Sequence, residues 1–404
     1  VDEAQARVLA LGSPVEAEDC VLREALGRVT AGPVHSRIAV PPFANSAMDG
    51  FALRAADTTA PGPGVSLRTI GYIPAGAQSL PAVGAGEAVR IMTGAPLPPG
   101  ADAVVPFEET DSDGDTVHVR AGITVGSCVR PAGLDVNPGD QILPEGTRLG
   151  AAQLAACASV GLATLSVRRR PAVAILTTGD ELVDPGAALG PGQIYNSNAY
   201  GLEAAVQESG GTPLRLSPAR DSPEALRDAI KGLPDADLIL TSGGVSVGDF
   251  DYVKAVFASA GEVGFWRVRM RPGKPLLLAS LARPDGQRVP VLGLPGNPTS
   301  TMVTFEVFGR PLIRRLLGQQ PEVPKPLTAR CVDRLDNRGG RETFFRVVLD
   351  DEEGLLSARL SGGQDSSMLV PLARADGLAR VSAEVETVAP GETVLVYPFS
   401  RWSR

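Results

Sequence analysis

Leu238-Ile239-Leu240-Thr241-Ser242-Gly243-Gly244-Val245-Ser246-Val247-Gly248-Asp249-Phe250-Asp251-Tyr252 is the stretch whose reading decides the fold. An apolar run of strand character ends in a glycine-rich turn, and a helix-like segment, Tyr252 to Ala260, follows at once. Strand, small-residue loop and helix N-terminus together make a cradle for an anion. Unpaired backbone N–H groups and the positive end of the helix dipole both face such a loop. The spacing from Gly243 to Gly248 imitates a P-loop, yet Asp249 and Phe250 stand where Lys and Ser/Thr belong. A phosphate loop carrying carboxylates makes chemical sense when a metal ion bridges acid and phosphate.

The neighbouring sequence has the same grammar. Ala172 to Leu176 is a continuous apolar run of the parallel-strand kind, and it ends in Thr177-Thr178-Gly179-Asp180-Glu181. A helix is expected from Asn198 to Glu208 and a short strand from Pro213 to Leu216. Ser222 then reads as an N-cap with Pro223 in the first helical position. Val289 to Leu294 is a further strand, followed by Pro295-Gly296-Asn297-Pro298 and a helix from Thr299. Strands alternating with helices predict a doubly wound α/β sheet with right-handed crossovers, spanning 169–318.

Outside this block the texture changes. Residues 1–30 show helical spacing broken at Ser13-Pro14, and the Ala-rich Leu149 to Ser159 returns to helix. Between them, 51–133 carries short alternating runs such as Val65 to Ile70 and Asp115 to Arg120. The expected organisation is a discontinuous helical domain, 1–50 and 134–168, interrupted by a small inserted β-domain, 51–133. Beyond the Pro-rich linker Gly318 to Pro326, residues 319–404 read as a C-terminal β-domain of barrel-like character. Two to four domains suit a chain of 404 residues.

Composition narrows the chemistry. Net charge is −8, and no basic run exceeds Arg168-Arg169-Arg170, which argues against a nucleic-acid partner. The four cysteines are dispersed without a C-x-x-C pair, and the two histidines, His35 and His118, are far apart. A zinc site, a disulfide framework and a His-dependent triad are therefore not expected, and any metal would sit on oxygen ligands, as Mg²⁺ does. No apolar run approaches the ~18 residues that cross a bilayer, and no secretory leader is evident. The expectation is a cytoplasmic protein with no membrane partner.

In an open α/β sheet, ligands bind outside the carboxyl ends of the strands. Those ends would bring Asp180, Glu181, Asp221, Asp249 and Asp251 toward one rim. Singly, each has an ordinary structural use: Asp180 a helix cap, Asp221 a turn, Asp249 and Asp251 a favourable place at a helix N-terminus. Glycines such as Gly243 and Gly244 also serve tight turns. If Trp266 to Met270 is a strand, Arg267, Arg269 and Arg271 fall on one face before Pro272-Gly273-Lys274-Pro275, a favourable arrangement for an anion.

Six segments, in order along nearly the whole chain, resemble one family. They are Asn45-Ser46-Ala47-Met48-Asp49-Gly50, Ile91-Met92-Thr93-Gly94-Ala95-Pro96, Thr178-Gly179-Asp180-Glu181-Leu182, Thr241 to Gly248, Pro272 to Pro275 and Gly293 to Pro298. The family is MoeA, to which the E domain of gephyrin is also related. The resemblance implies a homodimer of four-domain subunits whose α/β part is of the MoaB/MogA kind. It implies Mg²⁺-assisted insertion of molybdenum from molybdate into adenylylated molybdopterin, with release of AMP. It further implies that the C-terminal β-domain of a partner subunit completes the cleft. A molybdopterin adenylyltransferase and cofactor-accepting molybdoenzymes are the implied partners.

Carried over by position, the resemblance assigns Asp49, Asp135, Glu181, Asp221 and Asp251 as catalytic acids, with Glu181, Asp221 and Asp251 on the metal. The substrate pocket would comprise Thr93, Thr178, Gly179, Asp180, Ser242, Gly243, Gly244, Ser246, Gly248, Arg267, Arg271, Lys274, Pro295, Gly296, Asn297 and Pro298. Arg267 and Arg271 depart from a lysine-rich version of that strand, and Ala44 stands where the family often has an acid. Asp249 is left between a helix cap and a site residue. Two rival functions remain compatible with the residues: a nucleotide pyrophosphatase on the same scaffold, and a non-catalytic cofactor carrier or scaffold.

Overall fold

The computed structural model describes residues 1–59, 64–244, 261–282, 286, 288–320, 326–352 and 354–399. At its centre lies a six-stranded sheet in the order Thr212–Arg215, Ala172–Thr177, Leu238–Ser242, Arg288–Leu294, Pro275–Ala282, Gly261–Arg267. The first four strands run parallel and the last two are antiparallel additions. Side chains alternate across a strand, so each apolar run feeds two cores. Val173, Ile175, Leu238, Leu240, Leu292 and Leu294 pack with Leu202 and Val206 of the helix Ser197–Glu208 and with Val303, Phe305 and Phe308. Ala174, Leu176, Ile239, Leu277 and Val291 face the other way, against Leu226 of the helix Pro223–Lys231. Helices on both faces make the sheet doubly wound. Ser222 caps the second helix as expected, accepting from the Ala225 N–H at 3.2 Å.

The N-terminal region is less helical than its sequence suggests. The helix Asp2–Ala10 forms, but it packs on the α/β domain: Val8 is in that core, and Gln5 donates to the Val307 carbonyl at 3.0 Å. The helix expected beyond Ser13-Pro14 is instead the strand Ala17–Val21, antiparallel to Thr164–Arg168. Pairing with a β-branched partner distant in sequence overrides the local period. Residues 134–167 likewise contain one α-helix, Ala151–Ser159, flanked by the strands Gln141–Leu143 and Thr164–Arg168. The two flanks of the insertion meet through these strands, Gln141–Leu143 pairing with Val34–His35.

The inserted segment forms a second six-stranded sheet, in which Gly50–Leu53 is the second strand, between the edge strand Ala103–Pro106 and Glu87–Ile91. A Cβ at Gly50 would lie 1.9 Å from the Val105 carbonyl oxygen, so only glycine permits that approach. In the C-terminal region the strands Leu327–Cys331, Glu342–Glu352, Leu355–Leu360, Gly377–Val381 and Thr393–Pro398 close into a five-stranded barrel. Met270–Arg271 adds in parallel to Glu342-Thr343 and ties the barrel to the α/β domain.

Candidate active site

A cleft of about 870 Å³ lies at the carboxyl ends of the parallel strands. Thr177, Ser242 and Leu294 are the last residues of three adjacent strands, and the loops that leave them form the floor. The loops are stitched together by the backbone: Thr178 N–H donates to the Ser242 carbonyl at 3.1 Å, and Gly243 N–H to the Leu294 carbonyl at 3.3 Å. Gly243 has φ +97°, and a Cβ there would stand 2.7 Å from the Thr178 carbonyl oxygen. The turn is closed to any other residue. Met270 to Pro275 supplies a second side of the cleft, and Arg341 with Gln364 to Ser367 of the barrel a third.

Most of the expected pocket residues meet here. Thr178, Glu181, Asp221, Ser242, Gly243, Gly244, Arg271, Lys274, Pro295, Gly296, Asn297 and Pro298 all line the cleft. Asp180 sits just behind, its carboxylate accepting from the Asp221 N–H at 3.4 Å. Gly179 backs the same loop, where a Cβ would come within 2.6 Å of the Glu181 carboxylate. Burial, then the neighbouring charges of Glu181 and Asp180, push the Asp221 carboxyl above its ordinary value of 3.8. Like charges held together in this way favour a bound cation or a proton. Among the described residues no cluster of three or more acids, cysteines or histidines forms a ready metal site. Ser246, Gly248, Asp249 and Asp251, with the expected helix from Tyr252, lie outside the described residues.

Asp49, Thr93, Asp135 and Arg267 are not among the lining residues. Asp49 and Thr93 do find each other. One Asp49 carboxylate oxygen accepts both the backbone N–H and the hydroxyl of Thr93, each at 2.7 Å. These two bonds hold the Asp49 carboxyl below its ordinary value. Asp135 is exposed in a turn, its N–H bonded to the Val40 carbonyl at 2.9 Å.

The strand expected over Trp266 to Met270 is interrupted. The strand ends at Arg267, and the chain then turns, with Val268 N–H donating to the Lys274 carbonyl at 2.9 Å. Exposed arginines still alternate with buried Val268 and Met270 through that turn, but the three arginines no longer lie along one strand. Arg267 is exposed, Arg269 donates to the Gly340 carbonyl at 2.8 Å, and Arg271 alone of the three lines the cleft.

The barrel residues that line the cleft, Arg341 and Gln364 to Ser367, belong to this same chain. The loop Ser361 to Met368 docks on the helix Pro298–Thr304. Asn297 donates to Ser366 Oγ at 3.0 Å, Thr299 N–H to the Ser366 carbonyl at 3.1 Å, and Thr299 Oγ1 to the Met368 carbonyl at 2.7 Å. Arg346, fully buried, holds the loop from inside through the carbonyls of Gly363 at 2.9 Å and Asp365 at 3.2 Å. Bonds from Ser367, then the charges of Arg346 and Arg271, keep the Asp365 carboxyl low.

Sequence reasoning passed over Asn196 and Asn198. Asn196 caps the helix Ser197–Glu208, accepting from the Ala199 N–H at 3.2 Å, and donates to Thr177 Oγ1 at 2.9 Å. Asn198 lines the cleft and donates to Ser242 Oγ at 2.9 Å and to the Gly296 carbonyl at 2.7 Å. An Asn ahead of a helical run is a cap signal that was available.

Comparison with known proteins supplies the context for this cleft. Residues 1–161 match a family model described as the MoeA N-terminal region (domain I and II). Residues 174–315 match a probable molybdopterin binding domain, and 328–399 the MoeA C-terminal region (domain IV). A molybdopterin molybdenumtransferase of Nostoc sp. is 40% identical over 394 residues, covering 96% of this chain and 89% of that protein. Molybdopterin molybdenumtransferase 2 of Mycobacterium tuberculosis is 39% identical, covering 93% of each. Two MoeA structures from Pyrococcus horikoshii superimpose with TM-scores of 0.84 and 0.83 at 33% and 26% identity. They cover 99% and 98% of this chain, and 99% of each structure is covered in turn.

Proposed function

This chain belongs to the MoeA family, and from that premise we propose that it is a molybdopterin molybdenumtransferase. It takes molybdate and adenylylated molybdopterin as substrates, inserts the molybdenum, and releases AMP. The observation that carries the reading is one cleft that gathers the carboxylates Glu181 and Asp221 and the cations Arg271 and Lys274 beside a glycine turn, with Arg341 and Asp365 on its barrel side. Breaking a phosphoanhydride link calls for positioning and charge neutralisation more than for a protein nucleophile. Arg271 and Lys274 are suited to hold the phosphates. Glu181 and Asp221 are suited to hold a metal. The dithiolene of the substrate can keep the molybdenum, so no cysteine or histidine cluster is required of the chain.

Mg²⁺ fits the donor set. It favours hard oxygen ligands, retains several waters and is commonly held by one or two carboxylates plus substrate phosphates. Glu181 and Asp221 would hold it, and the upward shift at Asp221 is the electrostatic demand that a cation meets. When bound, the ion would neutralise charge on the phosphoanhydride oxygens. Asp251 joins this proposal as a third ligand.

The proposal includes a homodimer. Asp49 and Thr93 do not line this chain's own cleft, so a catalytic role for them requires delivery to the cleft of a second copy. Asp135 and Arg267 enter on the same terms. Among the described residues no helix is long and apolar enough to cross a membrane. Cytoplasmic residence, supply by a molybdopterin adenylyltransferase and delivery to molybdoenzymes complete the reading.

The test is AMP release from adenylylated molybdopterin, measured with and without molybdate and Mg²⁺. Release dependent on both is expected. Hydrolysis of free nucleotides without the pterin points to a pyrophosphatase instead, and tight pterin binding without AMP release points to a carrier.

A further inference from the structure

At the cleft floor the directions of the hydrogen bonds are set by chemistry. The Gly296 carbonyl, 2.7 Å from the Asn198 side chain, can only accept. The atom facing it must be the amide nitrogen, so the side chain cannot be turned over. Ser242 takes the second amide proton, and its own hydroxyl proton is directed to the Pro295 carbonyl at 3.1 Å or to Thr301 Oγ1 at 3.3 Å. Ser242 is thus committed within the protein. Asn198 Oδ1, by contrast, is shielded from solvent and has no partner, and the same is true of Thr178 Oγ1. Both residues line the one cleft.

Buried polar atoms without partners are uncommon and call for an explanation. Phosphate does not provide one for Asn198: its oxygens are acceptors, and so is Oδ1. The groups with charge for phosphate, Arg271 and Lys274, come from a different segment of the cleft wall. Oδ1 needs an N–H or O–H donor. The Thr178 hydroxyl can donate to a carbonyl beside it. A donor next to an acceptor is the pattern on the N–H/C=O edge of a pterin ring.

We propose that Asn198 and Thr178 are specificity-determining residues that read this edge, Asn198 Oδ1 accepting the ring N–H and Thr178 Oγ1 donating to the ring carbonyl. The assignment rests on the transferase reading. It places the heterocycle against Thr178 and Asn198, and the phosphates toward Arg271 and Lys274.

The unpartnered hydroxyl offers a clean test. Thr178→Val is nearly isosteric and removes a group that bonds nothing in the free protein, so Tm should hold or rise. KM for adenylylated molybdopterin should rise about tenfold, with kcat within twofold and AMP affinity unchanged. Asn198→Ala should give the same KM-against-kcat split with a larger rise, together with some loss of Tm from the Ser242 and Gly296 bonds. Unchanged KM in Thr178→Val, or equal weakening of AMP, overturns the assignment while an active wild type leaves the transferase reading standing. A wild type that releases no AMP overturns both.

Discussion

Asp221 and Asp49 are the same residue type in two different electrostatic situations. Asp221 is crowded by Glu181 and Asp180 and partly desolvated, and its carboxyl is pushed up. Asp49 is exposed, receives two bonds from Thr93, and its carboxyl is held down. The first is an acid whose surroundings leave a demand for a cation. The second is already satisfied by its own chain and is held in one orientation. Acids that bind something are recognised less by identity than by what their neighbours fail to provide.

The largest effect expected is on turnover. Glu181→Gln or Asp221→Asn should each lower molybdate-dependent AMP release by about 100-fold, with circular dichroism unchanged. Turnover within a few-fold of wild type would remove these acids from the chemistry. Lys274→Met should act more on binding, raising KM for adenylylated molybdopterin about tenfold through loss of one charge-assisted contact.

Next comes the response to metal. Millimolar Mg²⁺ should raise Tm of the wild type by a few degrees, because it binds the folded site and not the unfolded chain. Asp221→Asn should lose most of that rise, and Asp49→Asn should keep it. Equal responses in the two variants would erase the contrast between the sites.

The smallest effect is the pH dependence of stability, and here the two acids have opposite signs. A raised folded pKa gives Asp221 stability that is fully present below 3.8 and is lost as pH rises through the folded value. Asp221→Asn should therefore gain on wild type in urea melts as pH climbs from 3.8 toward neutrality. A lowered folded pKa gives Asp49 stability that is present above 3.8 and is lost as pH falls through the folded value. Asp49→Asn and Thr93→Val should fall slightly below wild type at neutral pH and converge with it in acid. Parallel pH curves for the Asp221 and Asp49 variants would contradict the assigned causes.

Much of the α/β domain was legible in the sequence because its signals are local. Apolar runs such as Ala172 to Leu176 and the Ser222-Pro223 cap each carry their structure within a few residues. The cleft's glycines and acids followed from the rule that ligands gather at strand ends. The N-terminal region was misread where its partner is remote: Ala17–Val21 is a strand because Thr164–Arg168 lies beside it, more than 140 positions away. The three arginines alternate with buried Val268 and Met270 as expected, but the strand stops at Arg267 and the chain turns between Val268 and Lys274, so only Arg271 of the three lines the cleft.

By itself the sequence determined the alternation of strands and helices, the glycine turn at Gly243 and Gly244, and the family to which the six motifs point. Those are properties of short stretches, fixed by sterics and by hydrophobic period. The tertiary structure alone decided which acids share a site, that this chain's own barrel lines one side of the cleft, and that Asn198 stands there with an unpaired carbonyl. Each of these depends on groups far apart in the chain meeting in space. Which partners a side chain has found, and which it still lacks, is written in no single stretch of residues.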